Sequence, residues 1–265
     1  MVPASRSDPP SVDAHPVDDQ GQPLLGQAGR VVCLVPSLTE AIAATDRSLL
    51  VGVTDWCTHP DDLDVPRVGG TKWPDIDAIR ALDPDLVVAN AEENRPEDLA
   101  ALRDSGIPVW VTAPASVAQA IDSLDALLRA LTGNVPDWLI RTRQVWQEPA
   151  PIVPARTAVI AIWRRPWMVL GRNTFAGDIL ENLGVRNTFA GHPDRYPRVE
   201  LDDERIALAD LVVLPDEPYQ FRADDGPEAF PGKRIALVSG RHLTWYGPSL
   251  LEAPEILRTQ LTAEA

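Results

Sequence analysis

"IRALDPDLVVANAEEN", residues Ile79–Asn94, and "RIALADLVVLPDEPY", residues Arg205–Tyr219, are one pattern written twice. Each runs from an amphipathic helical end through an Asp into an apolar strand, then out into an acidic loop. Asp85 answers to Asp210, about 125 residues on. Downstream, "IPVWVTA" at Ile107–Ala113 is echoed by "KRIALVSG" at Lys233–Gly240. A chain that repeats a helix–strand unit about half its length apart reads as two βαβ lobes of similar topology.

Short apolar runs bounded by turn residues extend the pattern in both directions. Val31–Val35, Leu50–Thr54, Asp85–Ala89 and Pro108–Thr112 read as buried parallel strands of a first lobe. Thr157–Trp163, Asp210–Leu214 and Arg234–Val238 do the same for a second. Apolar residues at three- and four-residue spacing predict helices over Asp75–Leu82, Pro96–Ser105 and Ser116–Leu131. Between the lobes, Asn134–Glu148 predicts one helix, capped by Asn134, started by Pro136 and stopped by Pro149, Pro151 and Pro154. About 15 residues at 1.5 Å each make a strut of roughly 22 Å. The expected fold class is therefore α/β, with two Rossmann-like lobes of mostly parallel sheet and a ligand cleft between them. The divisions are a leader over 1–29, a lobe over 30–132, a linker helix over 133–150 and a lobe over 151–265.

Composition narrows the function. A formal net charge of −15 excludes a nucleic-acid partner, which needs clustered Lys and Arg, and disfavours an anionic membrane surface. No run of about 18 apolar residues predicts a membrane-inserted helix. Cys33 and Cys57 make no disulfide framework. Residues 1–29, rich in Pro, Asp, Ser and Gln, lack a basic n-region and an apolar h-region. They read as a disordered leader rather than a signal peptide, which predicts a cytoplasmic protein.

In open parallel sheets, ligands bind beyond the carboxyl ends of the strands. The segments at those ends are rich in aromatic and polar residues. "VPSLTE" at Val35–Glu40 offers Pro36 and a possible helix cap in Ser37 or Thr39, and "TDWCTHP" at Thr54–Pro60 offers Trp56. "GGTKWPD" and "NAEENR" carry Trp73, Asn90, Glu92, Glu93 and Asn94. The second half supplies Trp163, Arg164, Arg165 and Trp167 in "WRRPWMVLG", Tyr196 in "DRYPR", Tyr219 in "PDEPYQF", and Trp245 and Tyr246 in "GRHLTWYGP". Such rings either plug the edges of a core or line a concave binding surface. Arg164 and Arg165 are either a clamp for phosphate or carboxylate or a solvated turn. Glu92 and Glu93 are either cleft carboxylates or acids favoured at a helix start. Cys57 and His59, with His192 and His242 in other loops, form a candidate metal-ligand set, although no CxxC or HExxH pairing supports it.

At these residues the chain resembles a known family. "RVVCLVPSLTE", "GGTK…DIDAIRALDPDLVVAN" and "TWYGPSLLEAPEIL" are similar to the helical-backbone metal receptors, the class that holds the vitamin B12 and siderophore receptors of ABC importers. The likeness runs from about Arg30 to Leu261. It implies two lobes bridged by a helix, limited hinge motion, and a corrinoid or other metal chelate in the cleft. It aligns Pro36, Trp56, Trp163 and Tyr196 with cleft positions, and Asn90 with a position that is aromatic in the vitamin B12 receptor. It places Asp77 and Asp202 where paired acids dock on the permease.

Three functions are weighed. The first is non-catalytic binding of a corrinoid or similar chelate, as an importer subunit or, given the leader, an intracellular carrier or sensor. The second is an enzyme acting on such a ligand through Cys57, His59 and Glu92 or Glu93, against which stands the lack of a Walker A loop, a GxGxxG turn or a GxSxG elbow. The third is a receptor for a free metal ion.

Overall fold

The computed structural model describes residues 16–147 and 156–263. The first lobe runs β1 (Val31–Cys33), α1 (Pro36–Asp46), β2 (Leu50–Val53), a two-residue hairpin of β3 (Gly69–Gly70) and β4 (Trp73–Pro74), and α2 (Ile76–Ala81). It continues through β5 (Leu86–Asn90), α3 (Pro96–Asp104) and β6 (Val109–Thr112). Two helices follow, α4 (Val117–Thr132) and α5 (Asp137–Gln147). The second lobe opens with β7 (Arg156–Trp163), β8 (Met168–Val169), α6 (Phe175–Asn182) and β9 (Val185–Asn187). It closes with α7 (Glu204–Ala207), β10 (Leu211–Pro215), β11 (Arg234–Val238), α8 (Gly240–Thr244) and α9 (Ala253–Thr262).

The first sheet has the order β2-β1-β5-β6 and is parallel throughout. The second runs β11-β10-β7, with β9 parallel to β7 and the short β8 antiparallel to it. β5 and β10 are buried along their whole length, as strands covered on both faces must be, which is why they read as continuous apolar runs.

The repeated Asp does the same work in each lobe. Asp85 Oδ2 accepts the backbone N–H of Gly29 and of Arg30, at 2.9 Å each, where the chain enters β1. Asp210 Oδ2 accepts the N–H of Thr157 at 2.9 Å, where it enters β7. Each Asp thus satisfies amides at the start of the central strand next to its own, and holds the two strands in step.

The expected linker helix is present as α5, with Glu148 outside the described residues. Helix α4 runs beside it, so the connection is a helical pair. Gly133 separates the two: at φ 76° it takes the left-handed conformation that ends α4, and its N–H reaches Arg129 O at 2.8 Å. The start of α4 touches the second lobe, where Asp178 Oδ2 accepts Val117 N–H at 2.8 Å. On α5, Trp138 Nε1 donates to Thr45 Oγ1 in the first lobe (3.3 Å) and Trp146 Nε1 to Leu250 O in the second (2.9 Å). Beneath these contacts one apolar cluster runs through both lobes, from Val31, Leu38 and Leu124 to Ile160, Leu250 and Leu257. A shared core resists large hinge motion, since opening it would expose apolar surface.

Part of the supposed leader is corrected. Residues 16–29 lie along the edge strand β6 and are built into the first lobe. Asp18 is buried and its Oδ2 accepts Val111 N–H at 2.9 Å, while Asp19 Oδ2 accepts Ser123 Oγ–H at 2.8 Å and the N–H of Ala113. The clasp covers an otherwise open sheet edge. Residues 1–15 lie outside the described residues. Among the described residues no helix is long and apolar enough to cross a membrane.

Candidate functional site

The carboxyl ends of the two sheets meet, and the segments that follow their strands touch across the junction. Tyr246, from the loop after α8, reaches into the first lobe: its hydroxyl lies 2.6 Å from Asn90 Nδ2 and 2.8 Å from Thr112 Oγ1. Tyr196 donates to Glu92 Oε2 at 2.6 Å, and Arg195 forms an ion pair with the same carboxylate. The His59 ring stands edge-on to Trp245, with centroids 5.4 Å apart. Arg241 of α8 pairs with Glu40 of α1. Nearby, Gly247 comes so close to α1 that a Cβ there would lie 2.9 Å from Ser37 O.

Around this junction large rings remain open to solvent. Trp56 is 67% exposed, Trp73 70%, Trp163 43% and Tyr196 37%. Trp56 lies in the loop that carries His59. Trp73 carries the guanidinium of Arg95 over its face at 3.9 Å, and Lys72 beside it donates to Glu92 O at 2.5 Å. Trp163 rests edge-on against Tyr219 at 5.7 Å. Rings of this size left bare at the ends of several strands are the surface that a large, partly apolar partner covers.

Other expected contacts turn inward. Asn90 is buried and organises its own loop: Oδ1 accepts the N–H of Glu92 (2.8 Å) and of Glu93 (3.1 Å), and Nδ2 serves Tyr246. Trp167 stacks on Phe221 and meets Phe230 edge-on, so it plugs the outer core of the second lobe. Arg164 is held by Asp225 and Glu228 and is not a free clamp. Arg165 is exposed. Trp245 is buried with Nε1 on Glu217 Oε2 at 2.9 Å, and Tyr246 is buried as described. Pro36 opens α1 and is half-buried. Ser37 is buried without a hydrogen-bond partner for its hydroxyl, and neither it nor Thr39 caps the helix.

The metal set is corrected too. Cys57 is fully buried, with Sγ 3.1 Å from both Thr39 Oγ1 and Thr54 Oγ1, and burial pushes its thiol up. His59 turns the other way, toward Trp245, and its Nδ1 lies 3.1 Å from Thr58 Oγ1. His192 Nδ1 accepts Asp194 N–H inside its own turn. His242 is buried, bound to Ser239 Oγ at 2.7 Å and Glu252 Oε1 at 3.0 Å. Among the described residues no three His, Cys, Asp or Glu side chains are grouped to hold a metal ion. Asp77, in the first turn of α2, and Asp202, just before α7, are exposed at matching places in the two lobes.

Sequence reasoning missed the cross-lobe ties of Glu40 to Arg241 and of Arg195 to Glu92, and the Glu217 acceptor beneath Trp245. Their only trace was position in loops already singled out.

No family model matches the chain. A vitamin B12-binding protein of Yersinia pestis is 33% identical over 249 residues, which cover 89% of this chain and 87% of that one. Among solved structures, the periplasmic vitamin B12-binding protein of Vibrio cholerae superposes with a TM-score of 0.69 at 21% identity, over 88% of this chain and 96% of the other. A periplasmic heme-binding protein in complex with two hemes gives 0.72 at 24%, over 89% and 98%. These periplasmic relatives overturn the expectation of a cytoplasmic protein. That expectation rested on the composition of residues 1–29, and 16–29 belong to the folded lobe. The two-lobed fold and the extent of the Yersinia match together place this chain in the vitamin B12-binding protein family of substrate-binding proteins.

Proposed function

We propose that this protein binds a corrinoid or comparable metal chelate, without chemistry, between its two lobes, and hands it to an ABC-type permease. The observation that carries this reading is the set of bare rings, Trp56, Trp73, Trp163 and Tyr196, around a junction built by both lobes. A macrocycle has a broad apolar face and a polar fringe. Rings cover the first at low entropic cost, and burying roughly 100 Å² of apolar surface per ring contributes about 2.5 kcal/mol before binding costs. Family membership supports the same ligand class, since the relatives are vitamin B12- and heme-binding proteins.

The shared core implies that the ligand is admitted by small loop movements rather than wide opening. The Glu92 tie to Arg195 and Tyr196 is the contact nearest the exposed rings and breaks with little cost, because its partners are partly exposed. Asp77 and Asp202 are the candidate permease contacts, supported by their exposure at matching positions of the two lobes.

Titrating cyanocobalamin, hemin and a ferric siderophore while following tryptophan emission tests the reading. Saturable quenching by one of them is expected, weakened about tenfold or more in Trp56→Ala or Trp163→Ala. Saturable binding that neither substitution alters would move the site elsewhere.

A further inference from the structure

The charges left over at the lobe junction carry a statement about which chelate fits. The two arginines that cross it are already engaged, Arg195 by Glu92 and Arg241 by Glu40 and Glu252, and Arg164 is held within its own lobe by Asp225 and Glu228. Two carboxylates are less fully answered. Glu93 leaves β5 three residues after Asn90, with its N–H pinned by Asn90 Oδ1 at 3.1 Å. It is half-buried, and among the described residues its carboxylate takes no hydrogen bond and no ion pair. Glu217, on the exit of β10 in the other lobe, lies at the same junction: one of its oxygens accepts Trp245 Nε1–H at 2.9 Å, and the Trp245 ring meets His59 of the first lobe.

Groups from every side set the field at Glu93. Lys72 from the β3–β4 hairpin opposes its charge, while Glu92 beside it and Glu217 across the junction add to it. Tyr246 and Cys33 stand within electrostatic reach as neutral groups held neutral by burial, and the Tyr196 hydroxyl is held neutral beside Glu92 by desolvation and its hydrogen bond to that carboxylate. Lys72 and Arg195 stand against Glu92, Glu93 and Glu217, which leaves this group net negative by one charge.

Resting on the reading of this junction as a chelate site, we propose that Glu93, with Glu217 on the opposite lobe, determines specificity: it presents an unpaired acceptor that selects a fringe of amide or ammonium donors over a fringe of carboxylates. A donor fringe satisfies the acceptor and relieves the repulsion between the two acids. A carboxylate fringe brings further negative charge against these acids, where Arg195 and Arg241 are already paired, and a buried charge without a partner is strongly unfavourable. Desolvation pushes the Glu93 carboxyl up to about 7, as expected for an acid held in such a field, and it is ionised at pH 8.

Dissociation constants of the full chain for cyanocobalamin, with its neutral amide fringe, and for hemin, with two carboxylates, measured at pH 8 in wild type, Glu93→Gln and Glu217→Gln, test this. Wild type is expected to favour cyanocobalamin by about tenfold or more. Glu93→Gln is expected to narrow that ratio by about tenfold, chiefly by tightening hemin, with an unchanged circular dichroism spectrum. A ratio that stays within about twofold of wild type in both variants, or a wild type that prefers hemin, overturns the specificity role while leaving the site intact. If neither compound binds saturably to wild type, the chelate reading itself fails and takes this role with it.

Discussion

Tyr246 was a candidate ligand contact in the sequence and is a rivet between lobes in the structure, and Tyr246→Phe separates the two roles. The substitution removes one hydroxyl and keeps the ring against Phe175, whose centroid lies 5.7 Å away. Two hydrogen bonds vanish, to Asn90 Nδ2 and Thr112 Oγ1. Thr112 retains Ala89 O at 3.1 Å, but Asn90 Nδ2 keeps only Thr112 Oγ1 at 3.3 Å. A net hydrogen bond contributes about 1 kcal/mol, and a buried donor left poorly satisfied costs about 1–3 kcal/mol. The expected loss is therefore on the order of 2–3 kcal/mol. For a chain of this size that lowers the melting temperature by about 4–6 °C. Because one apolar core joins the lobes, the loss should appear in a single cooperative transition. Tyr219→Phe is the control: its hydroxyl meets Asp225 in a partly exposed contact, and its removal should cost under about 1 kcal/mol. Thermal unfolding followed by circular dichroism reads both. A Tyr246→Phe protein that melts within about 1 °C of wild type would refute the rivet.

Other outcomes follow from the same geometry. Asp85→Ala and Asp210→Ala should destabilise by similar amounts, about 1–2 kcal/mol each in urea titrations, because each carboxylate serves the amides of one strand entrance; a large effect from one alone would break the functional equivalence of the repeats. Glu93 has a folded pKa of about 7 against 4.5 ordinarily, so the folded chain takes up its proton first: this group's contribution is fully present below about 4.5 and is lost as pH rises through 7. Glu93→Gln should therefore be more stable than wild type at pH 8, by about 1–3 kcal/mol after allowing for water in the gap, with the difference fading toward pH 5; a gap that is flat with pH refutes the burial. Cys33 and Cys57 are buried thiols pushed up by burial, so a thiol reagent at pH 8 should label neither until denaturant is added; rapid native labelling of Cys57 would reopen it as a cleft residue.

The fold was legible because its signals are local and periodic. LVVAN at β5 and LVVLP at β10 announce buried parallel strands, and the Asp before each marks the repeat. Pro136 and the prolines after residue 148 bracket the connecting helix. The candidate site was legible only to the level of loops. Cys57 and His59 are two residues apart, yet one turns into the core and the other toward Trp245, and spacing in a loop does not encode that choice. Trp163 and Trp167 share a loop, and the first is 43% exposed while the second stacks under Phe221. Asn90 and Arg164 look like ligand groups by type, but each is consumed by protein partners brought in from far along the chain. The clasp at residues 16–29 was read as disorder because its polar composition hides two aspartates that work as acceptors for β6 and α4.

Native mass spectrometry of the full chain, incubated with a mixture of cyanocobalamin, cobinamide, hemin and a ferric siderophore, tests the central claim most directly. The expected result is a single added mass, one chelate per chain, that disappears when Trp56 and Trp163 are both replaced by Ala. A wild-type chain that emerges bare from the mixture, or one whose adduct survives the double replacement unchanged, would contradict the assignment of a chelate to the cleft between the lobes.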